Sequence, residues 1–197
     1  MYKILNNKVC TPTARTKWER VFNFDDYEWE QIYICPFITT KCSKMLWLQY
    51  RINHRILATN NFLNKIGLSE NFNCSFCERE RETLEHLFWE CDKIRGLLHT
   101  FSQYVQSINV NVEFDKKTFI FGKFANAKYC RIENLILLMI KLYIYNVKCK
   151  GNTLSLDGLL KFIQYYFHVH KSAAHLHNTI DKFNEDCHPY LGLIENR

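Results

Sequence analysis

Four potential metal ligands lie within eighteen residues of one another in the first half of the chain. They are Cys74, Cys77, His86 and Cys91, in the pattern C-x2-C-x8-H-x4-C. Zinc prefers four tetrahedral thiolate and imidazole ligands, and a C-x2-C pair places two sulfur atoms on one side of such a site. Two unrelated pairs in a chain with nine cysteines are the alternative. Because four protein ligands leave no open coordination position, the pattern predicts one structural Zn2+ without hydrolytic chemistry.

The segment that carries the last two ligands must bend between them. Thr83 can cap a short helix that carries His86, with acidic residues near its positive N-terminus. His86 and Cys91 are five residues apart, which is about 140° around an ideal helix. We therefore expect the helix to end or distort near Glu90, so that both side chains reach the same ion.

Four histidines near the C-terminus resemble a second metal cluster: His168, His170, His175 and His177. On one straight helix, the first and third of them share a face, and the second and fourth share nearly the opposite face. They cannot converge on one ion, so we do not predict a second metal site.

A row of basic residues is the second feature that bears on function. It consists of Lys41, Lys44, Arg51 and Arg55, which fall within about 80° of one another on a helix predicted from Thr39 or Thr40 to Leu57. Most other positions of this helix are apolar, so we expect it to be buried on most sides. Such a row is most often a charged helix face exposed to solvent. This row contains no acidic residue, however, and its cations suit the phosphate backbone of a nucleic acid.

Aromatic side chains near the basic row could add stacking on unpaired bases; the candidates are Tyr50, His54 and Trp89. Arg55 has a different alternative, since it lies beside two isoleucines. If Arg55 is buried, we expect it to pair with a carboxylate such as Glu19 or Glu70.

The composition indicates a folded intracellular protein. The chain has 197 residues, 47% hydrophobic residues and a net charge of +6, which leans toward polyanionic partners. Its first residues are too polar for a secretory signal, and its most apolar run, 135–147, is interrupted by Lys141 and too short to span a bilayer. An odd number of cysteines without an export signal favours a reducing compartment, in the nucleus or the cytoplasm, and no membrane association.

Caps and turn residues divide the chain into mostly helical segments. The predicted helices cover residues 16–22, 27–35, 39–57, 61–66, 92–105, 127–150 and 155–185. Pro36 is expected to end the second of them, and alternating apolar residues at 108–114 with the run 118–121 predict one short β-hairpin. The predicted fold is mainly α, a helical bundle with an inserted small Cys3His zinc module and at most that hairpin. We expect one domain over 1–197, with a helical part at 16–67, the zinc module at 68–100 and a second helical part at 101–197.

A longer series of residues, spread over 17–91, has the order and spacing of a known family. The series is Lys17-Trp-Glu19, Trp29, Ile32-Tyr33, Pro36-Phe37, Leu46-Trp-Leu-Gln-Tyr-Arg51, His54-Arg-Ile-Leu-Ala-Thr-Asn60, Leu63-x-Lys-x-Gly67, Cys74-x-Phe-Cys77, Glu82-Thr83 and Glu85-His-Leu-Phe-Trp-Glu-Cys91. It resembles the C-terminal zinc-binding region of reverse transcriptases from non-LTR (LINE-type) retrotransposons. Weaker similarity continues at 134–148. A tryptophan often found soon after the last ligand is absent, and Gly96-Leu-Leu-His99 stands there instead.

The resemblance implies a zinc-stabilised, non-catalytic domain behind the polymerase of a transposable element. In that family the region helps to bind the element's RNA and the target DNA during target-primed reverse transcription. Nucleic acid, either RNA or DNA, and the rest of a reverse transcriptase polypeptide are thus the expected partners. The alternative is a scaffold that packs on the polymerase body without nucleic-acid affinity of its own.

An enzyme is not expected from these residues. The chain shows no polymerase motif, no glycine-rich loop that could bind phosphates and no motif of a catalytic nucleophile. The Asp25–Asp26 pair lacks the strand–turn–strand setting of a polymerase site and suits a helix cap better.

Overall fold

Residues 13–195, which the computed structural model describes, form ten α-helices. These are α1 (Thr13–Glu19), α2 (Asp26–Thr39), α3 (Ser43–Asn53), α4 (Asn60–Lys65), α5 (Asp92–Ser107), α6 (Lys116–Phe121), α7 (Arg131–Lys150), α8 (Leu156–Leu176), α9 (Ile180–Cys187) and α10 (Leu191–Glu195). A π-helical turn covers His86–Glu90, and 3-10 turns cover Phe124–Asn126 and His188–Tyr190. The prediction of a mainly helical fold is confirmed.

The predicted hairpin is wrong, because its second half folds as α6. Asp115 caps this helix: its carboxylate accepts a hydrogen bond from the Thr118 backbone N–H at 2.7 Å. The Thr118 hydroxyl accepts one from the Asp115 N–H at 2.8 Å, which completes a capping box. Val110 and Val112 are buried without a partner strand, and within residues 13–195 the one β-type pairing is an isolated bridge between Asn73 and Arg81.

Helix α7 lies at the centre of the fold. It packs against α2, α3, α8 and α9, and nearly every side chain from Ile132 to Ile144 is buried. It ends at Gly151, which adopts a left-handed conformation with φ 63°, as predicted from the glycine. No helix among residues 13–195 is both long and apolar enough to cross a membrane.

Aromatic rings fix the first two helices against α6. The Phe121 ring of α6 lies 5.0 Å from that of Trp18 and 5.1 Å from that of Phe24, both in edge-to-face geometry. Trp29 of α2 packs on the same group, with its ring 5.0 Å from Phe24. Such edge-to-face pairs place the positive ring edge on the negative ring face and add to the burial of large apolar groups.

Two predicted helix ends differ from the structure. Pro36 does not end α2, which continues to Thr39 because the Thr39 hydroxyl and the Thr40 N–H bond the carbonyls of Cys35 and Pro36. The helix predicted to run from 155 to 185 is two helices, since Asn178 adopts a left-handed conformation with φ 54° after α8. Asparagine tolerates that conformation better than most residues, and the Thr179 N–H closes the helix on the Ala174 carbonyl at 2.9 Å.

The helix predicted for 39–57 is shorter than expected and less buried. It comprises Ser43–Asn53 as α3, anchored by Met45, Leu48 and Ile52 in the core. Its opposite face exposes Trp47 and Tyr50, so the expectation of burial on most sides is wrong. Lys41 precedes α3 and Arg55 follows it, so the basic residues do not form one helical row.

Candidate metal centre

The four predicted ligands converge on one point. Their donor atoms, from Cys74, Cys77, His86 and Cys91, all lie within 4.8 Å of one another. The Cys74 and Cys91 sulfur atoms are 3.7 Å apart, and the Cys77 sulfur lies 3.3 Å from His86 Nε2. For metal–ligand bonds of about 2.0 to 2.3 Å, the edges of a tetrahedron measure roughly 3.3 to 3.8 Å. The cluster is therefore compatible with one zinc ion.

A tight turn positions the first cysteine pair. The Cys74 N–H donates to the Glu80 carbonyl at 2.8 Å, and the Glu78 N–H donates to the Cys74 carbonyl at 2.9 Å. Glu78 adopts a left-handed conformation with φ 59°, which reverses the chain just after Cys77. The Phe76 N–H points at the Cys74 sulfur from 3.4 Å and favours its thiolate form.

The second pair is positioned by the predicted distortion of the helix. The Thr83 hydroxyl accepts a hydrogen bond from the His86 N–H at 3.0 Å and so caps the turn. The Cys91 N–H then donates to the His86 carbonyl at 3.0 Å, a bond across five residues that makes the turn π-helical. Cys91 leaves the turn in an extended conformation as the N-cap of α5, so both side chains reach the same site.

The electrostatic surroundings of the three thiols differ. Burial raises the pKa of Cys74 to about 12 and also raises that of Cys91. Burial acts in the same direction on Cys77, but hydrogen bonds from the Glu80 and Arg79 backbone outweigh it and lower its pKa to about 6. Zinc binds the thiolate form of cysteine. Cys77 is mostly a thiolate at neutral pH, whereas Cys74 and Cys91 must release protons when the ion binds.

A buried polar network behind the first two cysteines was not predicted. Glu82 is fully buried, and its carboxylate accepts hydrogen bonds from the backbone N–H groups of Asn60 and Ser75, both at 2.8 Å. Lys148 of α7 lies 3.3 Å from the same carboxylate. The Asn60 amide adds a bond to the Asn73 carbonyl at 2.7 Å. These bonds tie the turn of Cys74 and Cys77 to the start of α4 and to α7.

The sequence contains little that would predict a buried hydrogen-bonding role for Glu82. It lies in the charged run 78–85, and such runs are usually solvated. The one signal is the presence of Glu82-Thr83 in the family resemblance, which assigns no function to either residue.

Arg55, one of the predicted nucleic-acid contacts, is held against the metal centre instead. Its guanidinium makes two bonds to the Glu85 carboxylate, at 2.6 and 3.1 Å, and lies 4.1 Å from the centre of the Trp18 ring. Glu85, not the expected Glu19 or Glu70, is thus the carboxylate partner. Because Glu85 directly precedes His86, the pair connects the end of α3 to the second half of the metal centre.

The remaining basic residues are exposed on two separate surfaces. Lys44 and Arg51 line a groove between α3 and α7, whereas Lys41 lines another groove beside α8 and α9. Within residues 13–195 none of the three has a carboxylate partner at ion-pair distance. His54 is half-buried at the end of α3, with its ring 4.4 Å from that of Tyr50.

The other candidates from the sequence lie away from the groove of Lys44 and Arg51. Trp89 is half-buried, and its ring packs 5.8 Å from that of Phe119. His170 and His177 line the groove of Lys41, and in the part of the chain that the structure describes no metal-type cluster other than the Cys3His group is found.

Comparison with known protein families supports the zinc assignment. Residues 3–97 match the family described as zinc-binding in reverse transcriptase, and this segment contains the four clustered ligands as well as Lys41, Lys44, His54, Arg51 and Arg55. No curated protein matches the chain. Residues 3–97, slightly less than half of the chain, are thus similar to the zinc-binding regions of reverse transcriptases.

Proposed function

We propose that this protein is a zinc-stabilised, non-catalytic domain that binds RNA or DNA for a reverse transcriptase. The observation that carries the proposal is the exposed surface of α3, where Lys44 and Arg51 stand unpaired beside Trp47 and Tyr50. Unpaired cations suit phosphates, and exposed aromatic rings suit base faces. In the surrounding protein, such a domain would assist RNA and target-DNA binding during target-primed reverse transcription.

The role that we assign to zinc is structural. Cys74, Cys77, His86 and Cys91 would hold one ion in a closed tetrahedral shell, which supplies folding free energy to the segment that carries them. Through Glu85 and Arg55, this segment also braces the end of α3.

The cations of α3 are held by packing rather than by charge. Met45, Leu48 and Ile52 of the same helix are buried in the core, so the backbone under Lys44 and Arg51 is fixed. Less conformational entropy is lost when such a preorganised pair meets a phosphate backbone than when flexible tails do. Lys41 adds a third positive charge on the neighbouring surface.

A scaffold is the second candidate, and α2 carries the observation that favours it. Tyr27, Ile34 and Phe37 are exposed along this helix, at spacings that place them on one face. An exposed apolar stripe is typical of a protein–protein contact, here with the body of a reverse transcriptase.

Salt dependence tests the proposal. Binding of the zinc-loaded chain to single-stranded RNA, single-stranded DNA and duplex DNA would be measured by fluorescence anisotropy between 50 and 200 mM salt. For a binder that neutralises several phosphates, the logarithm of the affinity falls linearly with the logarithm of the salt concentration. No binding at the lowest salt concentration would reject the proposal and favour the scaffold.

A further inference from the structure

We infer that the groove between α3 and α7 receives an unpaired base, which stacks on Trp47 while Lys44 and Arg51 hold the phosphates on either side. This inference rests on the proposed function and names its ligand class, a single-stranded nucleic acid.

The groove has the size and lining of a small ligand site. Its volume is about 360 Å³, and the residues that line it include Lys44, Trp47, Leu48 and Arg51 of α3 and Leu142 and Asn146 of α7. Among the described residues that line it there is no carboxylate. A site with a polyanionic ligand requires that absence, since a buried like charge would repel the phosphate.

The floor and walls of the groove suit the face of a base. Leu48, Leu57 and Leu142 form an apolar floor, each nearly fully buried. The Trp47 side chain stands above it and is 61% exposed, an unusual state for so large an apolar group. Every base has a π-face that can stack on such a ring, and the edges of the base remain free for polar partners such as the Asn146 amide.

The two cations flank the tryptophan along α3. Lys44 precedes Trp47 by three residues and Arg51 follows it by four, so the three side chains lie on one face of the helix. Over seven residues a helix rises by about 10 Å. Lys44, Trp47 and Arg51 thus present a cation, an aromatic ring and a second cation in succession. This order matches the succession of phosphate, base and phosphate along an unpaired strand.

The aromatic surface continues out of the groove. The Tyr50 ring lies 5.6 Å from that of Trp47, and the His54 ring lies 4.4 Å from that of Tyr50. Successive rings of this kind offer a stacking surface to further bases of an unpaired strand. In a duplex the base faces are already stacked, so a duplex reaches only Lys44 and Arg51.

The test compares single strands with duplexes in one set of variants. Trp47→Ala removes the ring and Trp47→Phe retains an aromatic face. Tyr165→Ala is the matched control, since Tyr165 is 62% exposed on α8 and does not line the groove. Affinities of the zinc-loaded chains for a mixed-sequence 12-nucleotide DNA and for the corresponding duplex would be measured at one salt concentration. The part of the tryptophan quenching that is lost in Trp47→Phe gives an independent signal, because Trp18 and Trp29 are buried and Trp89 is half-buried away from the groove.

The inference predicts that Trp47→Ala weakens single-strand binding by about tenfold and leaves duplex binding unchanged. Trp47→Phe should restore most of the loss, and Tyr165→Ala should have no effect. Single-strand binding that Trp47→Ala leaves unchanged, or an equal loss for both ligands, would overturn the stacking site while the proposed function stands. Absence of binding in the parent chain would overturn the proposed function itself.

Discussion

Glu82 and Lys148 form an ion pair inside the protein, with 3.3 Å between the carboxylate and the ammonium group. Their side chains are 0% and 8% exposed, and they belong to the zinc segment and to the central helix α7, respectively. The Glu82 carboxylate also bonds two backbone N–H groups, which belong to Asn60 and Ser75. Glu82 thus fastens the metal centre to the helical core, so the position of the centre depends on the core as well as on the ion.

Removing the Glu82 charge should destabilise the whole fold. In Glu82→Gln, Lys148 is left without its counter-ion, which costs roughly 3 to 5 kcal/mol for a buried pair. Urea unfolding of the zinc-loaded chains measures this cost, with Glu80→Gln, an exposed residue of the same segment, as the control. Adding Lys148→Met to Glu82→Gln should recover part of the loss. A Glu82→Gln variant as stable as the parent would show that the pair does not hold the segment.

Loss of any one of the four metal ligands should empty the metal centre. Cys77→Ser is expected to lower the zinc content to near zero and to loosen residues 68–100 first, because the ion links the two halves of that segment. Zinc would be measured by metal analysis, and loosening by amide hydrogen exchange. Cys149→Ser, a change at an exposed cysteine outside the cluster, should keep one zinc per chain. Full zinc content in Cys77→Ser would rule out the assigned ligand set.

Arg55 is held in a left-handed conformation, with φ 55°, that usually belongs to glycine. Its contacts with Glu85 and Trp18 compensate for the strain, so Arg55→Ala should lose roughly 2 to 4 kcal/mol of stability. Arg55→Gly should lose about 1 kcal/mol less, since it also relieves the backbone.

Asn109 provides the matched control for the backbone term, because it has the same φ of 55°. Chemical unfolding of Asn109→Gly should show little change or a small gain in stability. An Arg55→Gly chain that unfolds at the same urea concentration as the parent would mean that the contacts of the arginine contribute no more than the relief of backbone strain.

Lys141 is buried in the core, no carboxylate of residues 13–195 lies at ion-pair distance from it, and burial lowers its pKa to about 7 from the ordinary 10.5. Its amine bonds Gln49 Oε1 and the Ile120 carbonyl, two acceptors that match the two N–H groups of a neutral amine. Between pH 7 and 10.5 the unfolded chain binds a proton that the folded chain does not, so the stability should rise with pH in that range.

A comparison with Lys141→Met isolates this contribution from those of other groups. The free energy of unfolding of the zinc-loaded parent should rise relative to that of the variant by several kcal/mol between pH 7 and pH 10. Parallel curves for the two proteins over this range would show that Lys141 keeps its ordinary pKa.

The local signals in the sequence predicted the metal centre better than the surface around it. Ligand spacing and the Thr83 cap depend on neighbouring residues, so both the convergence of the ligands and the bend near Glu90 could be inferred. The partner of Arg55 depends on tertiary structure, because Glu85 is thirty residues away and no local pattern connects them. The exposure of Trp47 has the same origin: helical periodicity identifies an apolar face but not whether another helix covers it.

Charge reversal on α3 tests the central claim most directly. Lys44→Glu with Arg51→Glu should abolish most binding to RNA and DNA alike, and each lost cation should lower the salt slope by about one. The control is Lys128→Glu with Lys171→Glu, which changes the net charge equally at exposed lysines outside the groove. Both double variants should retain one zinc and the stability of the parent. The account predicts a selective loss for the α3 variant; a folded, zinc-loaded α3 variant that binds as tightly as the control would contradict it and favour the scaffold.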